Sequence, residues 1–273
     1  METMSLAGLV ALVTGAGGGA EGGMGAGIAR CLGQQGATVV VNDLDGEYAA
    51  RTVAQLEGMG VQAMAVVGDV SSTEAVAAMV DQILARWGHL DILVNNAGIG
   101  GRVPAVERMP DEIWFRTIAV DLTGPFKLAR AVIPHMQRRR WGRIINIASV
   151  AGHRTGYMSG AAYTAAKSGL LGFTRHLALE VGEWGITVNA LLPGGTRTPP
   201  LLRNTPKEVQ EALAESVILR RLADPEDIGA AAAFLASPAA GYITGVALPV
   251  DGGTSVPAGD FTAYRANSRK DAG

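Results

Sequence analysis

The chain has 273 residues, 48% of them hydrophobic, with 23 basic side chains against 25 acidic ones. That length can bury one large core and requires no second domain, and the near-neutral balance gives no support to nucleic-acid binding through a broad electrostatic surface. The one cysteine, Cys31, leaves no internal disulfide and no thiolate metal cluster. It reads instead as a small buried hydrophobe on an apolar helix face. The N-terminal stretch METMSLAGLVALVTG lacks the basic start and long apolar run of a signal peptide, and nowhere do about 20 apolar residues mark a membrane span. The expected location is the cytoplasm, with no membrane partner.

Taken in chain order, VALVTG (10–15) reads as a buried strand that runs into the glycine-dense stretch AGGGAEGGMGAGIAR (16–30). Glycines at a strand-to-helix turn let the backbone approach a pyrophosphate, whose charge then meets the helix N-terminus. Gly15 ends the strand and Gly23-Met24-Gly25 immediately precedes the helical pattern, so Gly23 and Gly25 are the best candidates for that approach. ATVVVND (37–43) is the second strand, closing on Asp43. A carboxylate there can accept hydrogen bonds from adenosine ribose hydroxyls and would repel a 2′-phosphate. It could equally cap the turn before Leu44-Asp45-Gly46. No lysine or arginine stands in the glycine loop or just after Asp43, so NAD is favoured over NADP.

VQAMAVVGDV (61–70) is the third strand, and Ser71-x-x-Glu74 fits a capping box before AVAAMVDQILARWG. LDILVNNAG (90–98), GRIINIAS (142–149), ITVNALLPG (186–194) and GVALPVDGG (245–253) complete the strands. Near-continuous apolar runs of this kind suit a parallel sheet covered on both faces. Arg138, Arg139, Arg140 and Arg143 read as the solvated end of a helix, where cations face the negative pole. Asp224-Pro225-Glu226-Asp227 sets a cap, a first-turn proline and acidic residues ahead of IGAAAAFLAS. The alternation of strand and helix predicts an α/β fold: a single-domain doubly wound parallel sheet, Rossmann-like, with helices on both faces. The domain spans 1–273, with 255–273, which lacks periodicity, as a C-terminal tail.

Tyr163 and Lys167 lie four residues apart in AAYTAAKSGLLGF, and Ser149 lies fourteen residues before the tyrosine. A helix over 160–182 puts the phenol and the ammonium on one face. Bringing a free phenol from a pKa of about 10 to about 7 takes roughly 4 kcal/mol of phenolate stabilisation. One cation at ~4 Å in an effective dielectric of ~20 supplies about that much. The three side chains are thus a complete acid/base device for an alcohol oxygen, with the serine donating a hydrogen bond to it.

With these residues in place, the chain resembles the short-chain dehydrogenase/reductase family from about Gly8 to Thr254. The resemblance is carried by Thr14-Gly15 and its loop, Asp69-Val70, Asn95-Asn96-Ala97-Gly98, Ser149, Tyr163-x-x-x-Lys167, Pro193-Gly194 and Asp251-Gly252-Gly253. It implies hydride transfer between a nicotinamide cofactor and a small-molecule alcohol or ketone. Tyr163 would be the acid/base, Ser149 would orient the substrate oxygen, and Lys167 would bind the nicotinamide ribose. Asp69 and Val70 would flank the adenine, while Asn95, Ala97 and Gly98 would line the cofactor cleft. Pro193, Gly194, Thr196 and Thr198 would embrace the carboxamide end. The resemblance also implies a homo-oligomer, usually a tetramer, and the helix from Ala161 to Val181 is apolar enough around its circumference to make a subunit contact.

The sequence departs from the family pattern in three places. Seven residues separate Gly15 from Gly23 where the family has three, and the extra ones include Glu21, expected to bulge into solvent. Asp121, in AVDLTGPF, stands where the family has a catalytic asparagine. An ionised aspartate accepts hydrogen bonds but does not donate them. It could still pair with Lys167, offsetting that residue's effect on the phenol, or simply brace a helix. The serine-to-tyrosine gap is one residue longer than common, which GHRTGYMSG can absorb.

Other candidates are weaker. His153, Tyr157 and Met158 fall in a loop near the expected mouth, and Leu201, Leu202, Val209, Leu213 and Val217 could line a nonpolar pocket or pack in the core. His89, His135 and His176 are scattered, with no metal-ligand spacing, so no metal is expected. The expected substrate is an apolar secondary alcohol or ketone, cyclic, steroid-like or acyl-chain. The alternatives are an NADPH-dependent 3-oxoacyl-type ketoreductase and a non-catalytic NAD-binding scaffold or sensor.

Overall fold

Seven short apolar runs become seven parallel strands in the computed structural model, which describes residues 4–18, 22–100, 104–154 and 159–256. They are β1 (Val10–Val13), β2 (Thr38–Asp43), β3 (Ala63–Val67), β4 (Ile92–Asn95), β5 (Gly142–Ile147), β6 (Ile186–Pro193) and β7 (Ala247–Val250). Their order across the sheet is β3-β2-β1-β4-β5-β6-β7, every neighbouring pair parallel. The expected α/β, Rossmann-like sheet with helices on both faces is present. The strand order reverses between β1 and β4, and the crevice at such a switch point is where open α/β sheets bind ligands.

Alternation along each strand builds two apolar layers. Val13, Val39, Val41, Val94 and Ile145 face α1 (Met24–Gln34), α2 (Gly46–Gly58) and α9 (Pro225–Ala236). Val10, Leu12, Val40, Leu93 and Ile144 face α3 (Thr73–Trp87), α5 (Gly124–Arg139) and α6 (Ala161–Val181). The remaining helices are α4 (Asp111–Ile118), α7 (Pro199–Asn204) and α8 (Lys207–Ser216). Burial on both sides explains why the central strands lack a polar face.

Helix starts mostly follow their signals. Asp224 precedes α9 with Pro225 in its first turn, and the Asp224 amide donates back to Asp227 Oδ2 at 2.7 Å. Two expectations are corrected. The cap of α3 is Ser72, whose Oγ accepts from the Ala75 amide at 3.1 Å, because Ser71 is claimed by Asp69 through its amide and its hydroxyl. Arg143 does not belong to the solvated helix end. Arg138 and Arg139 form the last turn of α5, but the chain reverses at Arg140 (φ 52°) and Arg143 is 4% exposed within β5. Cys31 packs half-buried against the core between α1 and α9, its thiol facing the Glu226 carbonyl.

No helix among the described residues is long and apolar enough to cross a membrane, and none of their His, Cys, Asp or Glu side chains form a group of three that could hold a metal ion.

A candidate active site at the carboxyl ends of the strands

Parallel strands deliver their C-terminal residues to one edge of the sheet, and the expected site residues gather there. Gly15 follows β1, Asp43 ends β2, Asp69 and Val70 follow β3, Ala97 and Gly98 follow β4, Ser149 follows β5, and Pro193 ends β6 with Gly194 and Thr196 beyond it.

The glycine loop is locked from below by a clamp that sequence reasoning did not single out. Thr14 Oγ1 accepts from the Asn96 and Ala97 amides at 3.0 Å each, and Asn96 Nδ2 donates to the Thr14 and Gly15 carbonyls at 2.8 and 3.1 Å. The only signal was the paired asparagine after an apolar strand. This clamp explains two glycines. Gly15 has φ +61°, and a Cβ on it would lie 2.8 Å from Ala97 Cα; a Cβ on Gly25 would lie 2.5 Å from Asn96 Nδ2. Gly23 is the N-cap of α1 with no side-chain cap hydrogen bond, and the first turn, which begins at Met24, contains no acid. Among the described residues no side chain caps this helix end, and the positive end of a helix at the switch point is suited to holding an anion. The residues present fit a dinucleotide pyrophosphate.

The four extra residues of the loop leave that cradle intact. Gly18 and Gly23 abut so closely that a Cβ on Gly18 would collide with the Gly23 amide. The chain on either side of residues 19–22 thus meets at one point, and removing those four from the count restores three residues between Gly15 and Gly23. Glu21 lies outside the described residues, as do Tyr157 and Met158.

Asp43 makes the turn contact expected of it, Oδ1 accepting from the Asp45 amide at 3.2 Å, and its Oδ2 also accepts from the Gly17 amide at 3.0 Å, which the sequence did not signal. Asp69 accepts from Ser71 and pairs with Arg116 of α4 at 3.0 Å. Burial raises its carboxyl, but the Ser71 hydrogen bonds and Arg116 outweigh that and hold it below the ordinary range. Val70 is buried against Gly124. Asn95 is 2% exposed and points into the sheet, donating to Asn146 Oδ1 at 2.8 Å, so it braces β4 against β5 beneath the cleft. Gly194 packs against Asp251, and the buried Thr196 donates to the Gly194 carbonyl at 3.2 Å. Thr198 caps α7 by position.

On α6, which starts and stops where the sequence places it, Lys167 lies on the buried stripe and Tyr163 at its edge. Lys167 Nζ sits 5.5 Å from the centre of the Tyr163 ring and donates to the Ile147 carbonyl at 3.0 Å. That carbonyl ends β5, two residues before Ser149. Ser149 Oγ accepts from the Ala151 amide at 3.1 Å, which leaves the hydroxyl proton free to be donated elsewhere. Asp121 completes the group from a π-helical turn, Ala119–Thr123, set between α4 and α5. Single π turns in α-helices recur at functional sites because they re-aim one side chain. Here Asp121 Oδ2 comes to 3.3 Å from Lys167 Nζ.

A cavity of about 330 Å³ opens beside Tyr163, lined by Ile99, Gly100, Glu112, Ile113, Arg116 and Thr117. Its wall comes from α4 and the loop after β4; the leucines and valines of 199–219, for which pocket lining and core packing were both open, do not line it. Leu202 and Val209 are about two-fifths exposed at 40% and 41%, and Val217 is buried against Gly252. His153 is exposed.

Comparison with known proteins agrees with this geometry. A family profile described as enoyl-(acyl carrier protein) reductase matches residues 18–255. The 3-oxoacyl-[acyl-carrier-protein] reductase FabG of Pseudomonas aeruginosa is 44% identical over 92% of this chain and 98% of its own length. The cis-4-hydroxycyclohexanecarboxylate dehydrogenase of Sinomonas cyclohexanicum is 38% identical over 89% and 95%. A crystal structure of a 3-oxoacyl-[acyl-carrier protein] reductase with bound NAD from Brucella melitensis superposes with a TM-score of 0.84 at 34% identity, covering 94% of each chain. A glycine cradle at the switch point, a helix carrying Tyr163 and Lys167 beside it and relatives matched nearly end to end lead to one assignment: the chain belongs to the short-chain dehydrogenase/reductase family of oxidoreductases.

Proposed function

We propose that the protein is an NAD(H)-dependent oxidoreductase acting on a secondary alcohol or the corresponding ketone. The observation that carries this reading is the Lys167 ammonium, fixed by the end of β5 at 5.5 Å from the Tyr163 ring centre, on the strand end that presents Ser149. Ser149 holds the substrate oxygen by donating its free proton, and Tyr163 gives a proton to that oxygen or takes one from it. A bound nicotinamide supplies the hydride chemistry, while the protein supplies position and charge. The glycine loop and the bare N-terminus of α1 hold the pyrophosphate, and Asp43 selects an unphosphorylated adenosine ribose.

The cavity beside Tyr163, walled by Ile99 and Ile113, supports an apolar substrate, and the relative acting on a hydroxycyclohexane carboxylate supports a cyclic one. A second reading, reduction of a 3-oxoacyl thioester, is favoured by the 44% identical acyl-carrier-protein reductase. An NAD-reduction screen over cyclic alcohols, sterols and hydroxyacyl thioesters separates the two. Self-association is supported by Phe115, Phe126 and Leu179, exposed on the adjacent helices α4, α5 and α6.

The test of the acid/base assignment is Tyr163→Phe. Calorimetry is expected to show NAD binding retained and assays to show turnover lost by at least about a hundredfold, the low end for removing a general acid/base. Near-wild-type activity in this variant removes Tyr163 from the mechanism.

A further inference from the structure

Asp121 is fully buried, with Oδ1 accepting from the Ile99 amide at 2.7 Å and Oδ2 facing Lys167 Nζ at 3.3 Å. Lys167 is itself 4% exposed. Gly98 makes room for the pair: a Cβ there would lie 3.1 Å from Asp121 Oδ2 and 3.5 Å from Lys167 Nζ. An ammonium alone beside a phenol favours loss of the phenol's proton, and a carboxylate touching that ammonium cancels much of its field.

Among the described residues that line the cavity with Tyr163, none restores the lost positive charge. From α4, Arg116 lines the same cavity but is balanced by Asp69, and Glu112 has the same sign as Asp121. The end of β5 and the loop after β4 contribute neutral backbone to the pair, the Ile147 carbonyl and the Ile99 amide. Burial raises the Asp121 carboxyl above its ordinary range, while Lys167 and the Ile99 amide pull it back.

We propose that Asp121 is a positioning residue that balances the charge of Lys167, keeps the proton on Tyr163 at neutral pH, and so tunes the site to donate a proton to a carbonyl rather than take one from an alcohol. This rests on reading Tyr163 as the acid/base. In the favoured direction the carbonyl carbon gains a hydride from a reduced nicotinamide and the oxygen gains the phenolic proton. The products are the alcohol, the oxidised nicotinamide and a phenolate that regains its proton from solvent.

The test compares wild type with Asp121→Asn in two ways: kcat/KM against pH in both directions, and a substrate-free absorbance titration of phenolate, corrected with Tyr163→Phe. The variant is expected to move the acid limb of alcohol oxidation to lower pH by about one unit or more, close to tenfold in rate below the limb. Ketone reduction should lose its alkaline range by the same interval, and the Tyr163 phenolate band should appear correspondingly earlier. Asp121→Ser, which also lacks the charge, supplies the same comparison if the asparagine variant does not fold. Superimposable profiles and titrations overturn the proposal, as does a shift produced by Glu112→Gln but not by the Asp121 variants. A shifted titration in a protein that turns over no alcohol or ketone supports the charge balance and removes the catalytic reading instead.

Discussion

The Gly17 amide donates to Asp43 Oδ2 at 3.0 Å, so the carboxylate that closes β2 also fastens the glycine loop over the end of the sheet. One residue therefore combines two properties that a substitution can separate, a negative charge and a hydrogen-bond acceptor. Asp43→Asn keeps an acceptor for Gly17 but discards the charge, whereas Asp43→Ala discards both. The expected outcome for Asp43→Asn is a fall of at least about tenfold in the ratio of kcat/KM with NADH to that with NADPH, equal to about 1.4 kcal/mol of discrimination. Asp43→Ala should show that same relaxation and, in addition, weaker binding of both nucleotides as the loop loosens. An unchanged NADH-to-NADPH ratio in the asparagine variant would show that the carboxylate does not select the cofactor.

The glycine loop yields a second prediction, from the contact of Gly18 with Gly23. Because the two glycines abut, joining them by deleting residues 19–22 requires little movement of the flanking chain. Gly15 and Gly25 keep their places against the Asn96 clamp. The shortened protein is expected to fold and to bind NAD within a few-fold of the full-length chain by calorimetry. Loss of nucleotide binding with the fold intact by circular dichroism would mean that the inserted residues take part in holding the pyrophosphate.

What was legible in the sequence, and what was not, follows from the range of the interactions. The strands were legible because a central parallel strand is apolar on both faces, and the turn that follows each one except β5 is marked by glycine, aspartate or asparagine. The pairing of Tyr163 with Lys167 was legible because helical spacing is local. Arg143 was not, because its neighbours in sequence suggest a helix end while the left-handed turn at Arg140 carries it into the sheet. Its guanidinium lies over Trp141 and donates to the Gly142 and Gly185 carbonyls. The choice of Ser72 over Ser71 as a cap was hidden for a similar reason, since Asp69 and Arg116 compete for Ser71 from outside the helix. Asn95 and Asn96 look alike in sequence, yet one braces the sheet and the other clamps the loop, because successive residues at a strand end point in different directions. The π-helical turn that presents Asp121 left no compositional trace in AVDLT.

The last prediction concerns acid stability at the start of α9. Asp227 meets Arg221 through two hydrogen bonds, NH1 to Oδ2 at 2.5 Å and NH2 to Oδ1 at 2.8 Å, and its Oδ2 also accepts from the Asp224 amide at 2.7 Å. The Arg221 hydrogen bond is the largest influence and outweighs burial, which raises the carboxyl; with smaller contributions from the Asp224 amide and the Arg221 charge it holds Asp227 below the ordinary carboxylate range. A carboxyl lowered in the folded state stabilises that state above its unfolded value, and the contribution fades as pH falls through the folded value. At neutral pH, Asp227→Asn should therefore melt below wild type. The gap in Tm should narrow as pH falls through the carboxylate range and close once both forms are neutral there. Solvent screening keeps the effect small, because Arg221 is half-exposed. The measurement is Tm against pH for the two proteins at low ionic strength, repeated in high salt. A gap that stays constant down to the most acidic point would assign the loss to altered helix capping geometry rather than to the charge on Asp227.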